Sequence, residues 1–177
     1  MELILPSIAL RDSYIAAVKE FQSDADTTGR SQDMKKLSVA ELETDFAAYV
    51  EKLKSHARGE NLPAGWVPAT EFWLVDDGAY IGRVTVRHRL NENLEKYHGH
   101  IGYDIRPSMR GKGYGTQILA LALPKAKELG IDRVLVSCLA TNTASRRVIE
   151  KNSGVLESQV HDPAQDADML RFWINVA

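Results

Sequence analysis

Residues 101–119 read IGYDIRPSMRGKGYGTQIL, and this stretch organises the rest of the chain. A short apolar strand is predicted to lead into a basic, glycine-rich loop that opens directly into a helix. Glycines let successive backbone N–H groups turn toward one point, because glycine accepts positive φ and has no Cβ in the way. The first turn of the helix adds unpaired N–H groups and a partial positive charge. The stretch therefore predicts a binding loop for a phosphate or pyrophosphate. Three glycines and two basic residues form it: Gly111, Gly113, Gly115, Arg110 and Lys112.

The spacing of the glycines separates three kinds of phosphate-binding loop. A Walker loop requires Gly, four residues and then Gly-Lys-Ser/Thr, which does not occur here. A dinucleotide-binding loop requires Gly-x-Gly-x-x-Gly, and its third glycine position is occupied by Thr116. The pattern that fits is Arg-x-x-Gly-x-Gly, formed by Arg110, Gly113 and Gly115. A glycine-rich turn without any ligand is the alternative that this motif alone leaves open.

Composition favours one globular domain spanning residues 1–177, with 44% hydrophobic and 26% charged residues. Lys plus Arg (22) nearly balances Asp plus Glu (24), so no overall charge favours a nucleic acid or a membrane surface. The single cysteine, Cys138, excludes an internal disulfide and fits a reducing compartment. No apolar run is long enough for a membrane span, and the first residues do not resemble a secretion signal. We therefore expect a cytoplasmic protein.

Apolar spacing predicts elements in the order β-α-α-β-β-β-α-β-α-β-β. Strands are predicted at 2–5, 70–75, 79–89, 100–105, 134–139, 155–160 and 170–176. Helices are predicted at 7–21, from Ser38 to Gly59, from the glycine loop to Leu129, and at 142–151. Polar loops are expected at 22–37 and 90–99, and Pro124 is expected to kink its helix without ending it. The predicted fold class is α/β (α+β), with a mixed, mostly antiparallel twisted sheet flanked by helices.

The glycine loop resembles that of the GNAT superfamily of acetyl-CoA-dependent N-acetyltransferases, whose pyrophosphate loop carries Arg/Gln-x-x-Gly-x-Gly/Ala. Residues 142–154 (NTASRRVIEKNSG) are similar to the corresponding segment of the branch related to ribosomal-protein N-terminal acetyltransferases. Residues 99–108 (GHIGYDIRPS) and 171–174 (RFWI) resemble more closely a group of small bacterial predicted acetyltransferases of undefined substrate. The predicted element order is also that of the superfamily, so the resemblance extends over essentially the whole chain.

The resemblance implies where acetyl-CoA would bind. The strands ending at Ile105 and near Leu139 would splay apart, with the pantetheine arm between them and the backbone of Ile105 facing its amides. The pyrophosphate would be held by backbone N–H groups of a continuous run: Arg110, Gly111, Lys112, Gly113, Tyr114, Gly115 and Thr116. Asn142 and Ser145 would lie beside the arm, although an Asn that opens a helix is also a common N-cap. Dimers are frequent in the superfamily.

Acetyl transfer needs a neutral amine and a proton for the departing thiolate. Many members of the superfamily have a Glu on the strand before the loop; here His100 is the first candidate base, with a hydrogen-bonded strand histidine as the alternative. The usual acid is a Tyr at the place of Ile149 and is absent. Tyr103 or Tyr114 could substitute, with a packing role as the alternative. Cys138 is interpreted as a core residue, which argues against an acetyl-cysteine intermediate.

The acceptor is weakly constrained by the sequence. Trp66 and Trp73 could line an acceptor pocket or fill the core. Three arginines alternate along one strand and could hold an acidic substrate or form a solvated face: Arg83, Arg87 and Arg89. Three aspartates could attract a cationic amine or serve turns: Asp162, Asp166 and Asp168. His98 and His100 share a predicted strand face, but no ligand spacing for a metal accompanies them.

These observations together predict an N-acetyltransferase that moves the acetyl group of acetyl-CoA to a primary amine, either a small molecule or a peptide N-terminus. No metal, nucleic acid or membrane partner is expected. One alternative is a non-catalytic acyl-CoA-binding or regulatory module that kept the binding loop and lost the acid. Another is a dinucleotide-dependent oxidoreductase, which Thr116 and the absence of an N-terminal βαβ unit disfavour.

Overall fold

The structure is a computed structural model that describes residues 1–25 and 31–176. In this part of the chain there are seven strands: β1 (Glu2–Ile4), β2 (Ala69–Asp76), β3 (Ala79–Arg87), β4 (Ile101–Ile105), β5 (Arg133–Leu139), β6 (Val155–Asp162) and β7 (Ala167–Asn175). The same residues form six α-helices: α1 (Arg11–Ser23), α2 (Ser31–Lys35), α3 (Val39–Thr44), α4 (Phe46–Ala57), α5 (Tyr114–Glu128) and α6 (Thr143–Lys151). No helix among them is long and apolar enough to cross a membrane.

The seven strands form one sheet in the order β1-β2-β3-β4-β5-β7-β6. Neighbouring strands are antiparallel except β4 and β5, which are parallel. Side chains along each strand alternate between the two faces of the sheet. Helices cover both faces, and an apolar cluster lies on each. One cluster joins α5 and α6 to Val136 and Phe172, and the other joins α1 and α4 to Trp73 and Tyr80. The predicted fold class, a mixed and mostly antiparallel sheet flanked by helices, is confirmed.

Local sequence signals account for several boundaries. Asp77 and Gly78, with φ of +47° and +72°, form the two-residue turn between β2 and β3. Ser38 caps α3 by accepting a hydrogen bond from Glu41 N (3.3 Å). Asn142 caps α6 in the same way, since its Oδ1 accepts from Ser145 N at 2.9 Å. Helix α5 continues through Pro124 to Glu128, as the apolar spacing predicts.

Three predicted elements differ from the structure. The polar loop predicted at 22–37 contains α2, while its residues 26–30 lie outside the described part of the chain. The second predicted helix is two helices, because Asp45 leaves helical geometry and caps α4 by accepting from Ala48 N at 2.9 Å. The loop predicted at 90–99 contains a helical turn, Leu94–His98, so His98 does not share a strand face with His100.

Candidate active site

The parallel strands β4 and β5 separate immediately after they meet. Within the described residues they pair at one position, Ile101 with Val136, whereas β4 pairs with β3 along its whole length. We call the resulting gap the fork. Neighbouring residues of a strand direct their backbone groups to opposite edges. Since Arg106 N donates to Ile81 O beside β3 (2.9 Å), the backbone groups of Ile105 face the fork.

The glycine loop lies at the open end of the fork. Gly111 and Gly113 have φ of +77° and +88°, and a Cβ on either would meet nothing within 4 Å. Arg110 N already donates to Pro107 O, and Thr116 N donates to Gly113 O. Between them, the N–H groups of residues 111–115 have no acceptor in the part of the chain that the structure describes. Of the predicted run from Arg110 to Thr116, these five residues are therefore the ones whose N–H groups are available to a ligand. Such a group of N–H donors suits an anion.

Gly115 has a different role from the two glycines before it. It lies inside the first turn of α5 and does not have positive φ. A Cβ at this position would lie 3.1 Å from Val148 Cγ2 of α6. The expectation that all three glycines turn the loop was wrong at Gly115, which instead allows α5 and α6 to pack closely.

Carboxylates near the end of α1 hold the segment between β4 and the loop. Glu20 accepts from Arg106 Nε and Nη2 (2.8 and 2.6 Å) and from Ser108 N (3.2 Å). Partial burial opposes ionisation of Glu20, but these hydrogen bonds outweigh it and lower its pKa. Asp24 pairs with Arg110 Nη1 at 2.6 Å. Arg110 Nε also donates to Ile105 O at 3.3 Å. The Arg110 side chain is thus held between α1 and the end of β4, and Lys112 and the α5 terminus supply further positive charge at the loop.

Tyr103, Asn142 and Ser145 come together on the α6 side of the fork. Tyr103 Oη lies 2.8 Å from Ser145 Oγ, and Ser145 N donates to Asn142 Oδ1. Burial raises the pKa of Tyr103 well above its ordinary value, so the hydroxyl keeps its proton at neutral pH. Ile149, at the position of the usual tyrosine acid, is fully buried. The hydroxyl pair of Tyr103 and Ser145 is therefore the candidate proton donor on the α6 side of the fork.

His100 lies at the point where the fork begins. Its Nδ1 accepts a hydrogen bond from Leu135 N at 3.0 Å, so in the neutral ring the proton is on Nε2. The lone pair of Nδ1 accepts from the backbone N–H of Leu135, and the protonated Nε2 has no lone pair with which to accept a proton. Burial and then the charge of Arg87 lower the pKa of His100. This geometry corresponds to the hydrogen-bonded strand histidine and does not suit a general base.

Cys138 is buried beside the same wall of the fork, on the face covered by α5 and α6. Burial raises the pKa of its thiol to about 11. A thiol in this state is a poor nucleophile at neutral pH. The interpretation of Cys138 as a core residue agrees with this position.

Four of the other candidate acceptor residues are not brought together at the fork: Arg83, Trp73, Trp66 and Asp162. Arg83 is buried between Glu71 and Asp104 (3.5 and 3.1 Å), so neither a solvated face nor an open anion site describes it. Trp73 is fully buried and stacks on Tyr14, while Trp66 is 61% exposed. Asp162 accepts from Ala164 N and Gln165 Nε2 within its turn. Among the described residues, no three His, Cys, Asp or Glu side chains form a group that can hold a metal ion.

Comparison with known proteins finds acetyltransferases of similar fold. Solved structures with a similar fold include the RimL ribosomal L7/L12 α-N-protein acetyltransferase in complex with coenzyme A, at TM-score 0.69 and 19% identity, covering 98% of this chain and 93% of that one. The microcin C7 self-immunity acetyltransferase MccE, in complex with acetyl-CoA and AMP, has TM-score 0.69 and 13% identity over 98% and 91% of the two chains. YncA, a putative acetyltransferase from Salmonella typhimurium with its cofactor acetyl-CoA, has TM-score 0.60 and 12% identity over 99% and 93%.

A search of curated proteins gives no match. The family model described as "Acetyltransferase (GNAT) domain" matches residues 3–154. The resemblance drawn from the glycine loop and from residues 142–154 is thereby confirmed. Because the matched residues make up most of its length, the chain belongs to the GNAT family of acetyltransferases.

Proposed function

We propose that this enzyme transfers the acetyl group of acetyl-CoA to a primary amine by direct attack in a ternary complex. One observation carries the proposal: the fork opens onto the five unpaired N–H groups of residues 111–115. Acetyl-CoA has an extended arm with amide groups followed by a pyrophosphate. The arm fits between β4 and β5, with the N–H of Ile105 facing its amides, since Ile105 O already accepts from Arg110 Nε. The pyrophosphate fits the loop at the start of α5.

In the proposed reaction the amine nitrogen attacks the thioester carbonyl carbon, the C–S bond breaks and coenzyme A leaves as a thiolate. Holding the thioester in the fork supplies a large part of the rate, because orientation converts a collision into an intramolecular step. The ammonium form first loses one proton to water, because only the neutral amine attacks. The nitrogen loses a second proton to water as the tetrahedral intermediate collapses to the amide. We do not assign this step to His100, because the lone pair of its Nδ1 is already used by Leu135 N.

The hydroxyl pair of Tyr103 and Ser145 is the proposed proton source for the thiolate. The two oxygens lie 2.8 Å apart, so one hydroxyl can donate to the thiolate while the other replaces its proton. Water, which has received the proton from the amine nitrogen, then restores the proton of the second hydroxyl. The raised pKa of Tyr103 keeps its hydroxyl protonated at neutral pH, so this hydroxyl can donate a hydrogen bond to the sulfur as negative charge develops there. Asn142 Oδ1 caps α6 by accepting from Ser145 N, and this holds Ser145 in place. The side-chain N–H groups of Asn142 are then available to the pantetheine arm.

Two acceptor classes belong to this proposal: a peptide N-terminus and a small-molecule amine. RimL, to which the chain is similar in fold, is an α-N-protein acetyltransferase. We therefore place a peptide or protein N-terminus first and small amines second. No described side chain near the fork separates the two classes, so the acceptor has to be found by assay.

The test is release of coenzyme A thiol in the presence of a panel of acceptors, with the acetylated product identified by mass spectrometry. The panel pairs peptides bearing a free N-terminus with the same peptides blocked at that position, and adds small primary amines. Thiol release with any free amine, and none with its blocked partner, supports acetyl transfer. The second candidate function is a non-catalytic module, because Ile149 replaces the tyrosine that usually serves as the acid. Tight acetyl-CoA binding without thiol release across the panel would favour this candidate.

Tyr103→Phe is expected to lower kcat about 100-fold, at the lower end of the range that one general acid contributes, and to leave KM for acetyl-CoA nearly unchanged. The variant keeps the ring that packs in the fork wall and removes the hydroxyl bonded to Ser145. Tyr49→Phe is the matched control, because it removes another buried hydroxyl, bonded to Tyr14 at 2.6 Å on the opposite face of the sheet. Equal kcat in Tyr103→Phe and the parent enzyme would exclude this proton path.

A further inference from the structure

The side chain of His100 replaces a strand-to-strand hydrogen bond at the start of the fork. His100 N donates to Leu135 O at 2.7 Å, and His100 Nδ1 accepts from Leu135 N at 3.0 Å. One residue therefore satisfies both backbone groups of Leu135, one with its main chain and one with its ring. The next residues along, Ile101 and Val136, make the single β4–β5 pair within the described chain, and the strands then separate.

The backbone before β4 is built to place this ring. Gly99 has φ of +72°, and a Cβ there would lie 2.3 Å from Leu135 O. Arg87 of β3 holds the other side, with Nη1 donating to Gly99 O and its backbone N donating to His100 O, both at 2.8 Å. Residues 99 and 100 are thus fixed between β3 and β5, which leaves the imidazole little freedom to turn away.

From this geometry we propose that His100 is a positioning residue that fixes where the fork begins, and thereby places the thioester of bound acetyl-CoA. Only the placement of the thioester rests on the proposed function, because the hydrogen bond to Leu135 exists in the free protein. Without an acceptor at this point, Leu135 N would be a buried and unpaired donor. The bond from His100 N to Leu135 O and the pairing of Ile101 with Val136 would then still hold β5 beside β4, but the start of the fork would be less firmly fixed.

The surroundings keep the ring in the form that this role requires. A protonated imidazole has no lone pair at Nδ1 and cannot accept from Leu135 N. Burial disfavours the charged ring, and the Arg87 guanidinium on the β3 side repels it. On the β7 side lies the Trp173 ring, with centroids 6.4 Å apart, and the Arg133 guanidinium lies over that same Trp ring at 4.4 Å. Of these neighbours, Arg87 favours a neutral His100, and burial acts in the same direction.

Two substitutions separate a positioning role from a catalytic base. In His100→Asn, the amide Oδ1 occupies the place of Nδ1 and can accept from Leu135 N, but an amide cannot take a proton from an amine. In His100→Leu, a side chain of comparable bulk accepts nothing. His88→Leu is the matched control: His88 is also a partly buried strand-end histidine with a lowered pKa, and its Nε2 is bonded to Thr70 Oγ1 at 2.8 Å.

The experiment measures hydrogen exchange at the Leu135 amide in the free protein, then the Kd for acetyl-CoA and turnover of the best acceptor. In His100→Leu, exchange is expected to speed up and Kd to rise, each about tenfold, which corresponds to the usual net contribution of a hydrogen bond. His100→Asn is expected to stay within about threefold of the parent in all three quantities. His88→Leu should leave exchange at Leu135 unchanged.

Two results would overturn the inference. Loss of turnover in His100→Asn with slow Leu135 exchange would make His100 a base, and unchanged exchange and Kd in His100→Leu would remove its positioning role. Failure of the proposed function looks different. In that case the parent protein would not bind acetyl-CoA or would acetylate no amine, while the exchange at Leu135 would still report on the His100 contact.

Discussion

Gly113→Asp is expected to weaken acetyl-CoA binding by at least about 100-fold. Gly113 precedes α5 with φ of +88°, among the five unpaired N–H groups. A carboxylate there would lie within about 5–6 Å of a bound phosphate, and like charges at that distance repel by about 3 kcal/mol at an effective dielectric constant of 20, or about 100-fold in Kd. The measurement is a calorimetric titration of acetyl-CoA into the folded variant.

The matched control is Gly130→Asp at the other end of the same helix. Gly130 also has positive φ (+79°), and a Cβ there also meets nothing within 4 Å. The two variants therefore carry the same backbone strain, and only one places its charge at the proposed phosphate site. If both variants, or neither, lost acetyl-CoA binding, the glycine loop would not be the phosphate site.

Arg83→Met is expected to lower the free energy of unfolding by about 3–5 kcal/mol, the usual effect of breaking a buried ion pair from one side. Arg83 contacts Asp104 and Glu71 at 3.1 and 3.5 Å, and all three side chains are less than 10% exposed. Removing the guanidinium takes away the positive charge that these two buried carboxylates share. A fall in Tm of about 10 °C would accompany this loss in a chain of this size.

Two further variants test the cause of that loss. Arg11→Met removes an exposed ion pair with Asp12 and is expected to change stability by less than about 1 kcal/mol. Combining Arg83→Met with Asp104→Asn should recover part of the lost stability, because it removes one of the two buried carboxylate charges that Arg83 contacts. Arg83→Met with the stability of the parent would show that the buried cluster of Arg83, Glu71 and Asp104 contributes nothing.

The strands were predictable because their signals are local. The Asp77-Gly78 turn and the apolar run of β5 each lie within a few residues of the element they define. The break between α3 and α4 was hidden, because apolar residues continue at helical spacing on both sides of Asp45. The turn at residues 94–98 was hidden for the opposite reason, since most of its residues are polar and Tyr97 alone is buried.

The same distinction holds at the site. The open N–H groups at residues 111–115 follow from a glycine pattern that is contiguous in the chain, so they were predictable. The anchoring of Arg106 and Arg110 by Glu20 and Asp24 joins residues 86 positions apart, and no local pattern signals it. His100 illustrates a third case. Its residue type suggested a base, but its role depends on Leu135, which only the packing of β4 beside β5 reveals.

The central claim is that the fork and the glycine loop together form one acetyl-CoA site. Hydrogen exchange of the backbone amides, measured with and without acetyl-CoA, tests it most directly. The account predicts protection of the fork-facing amides of residues 103 and 105 and of the loop amides of residues 111–115, with little change in β2. Protection confined to another part of the chain, or none at saturating acetyl-CoA, would contradict it.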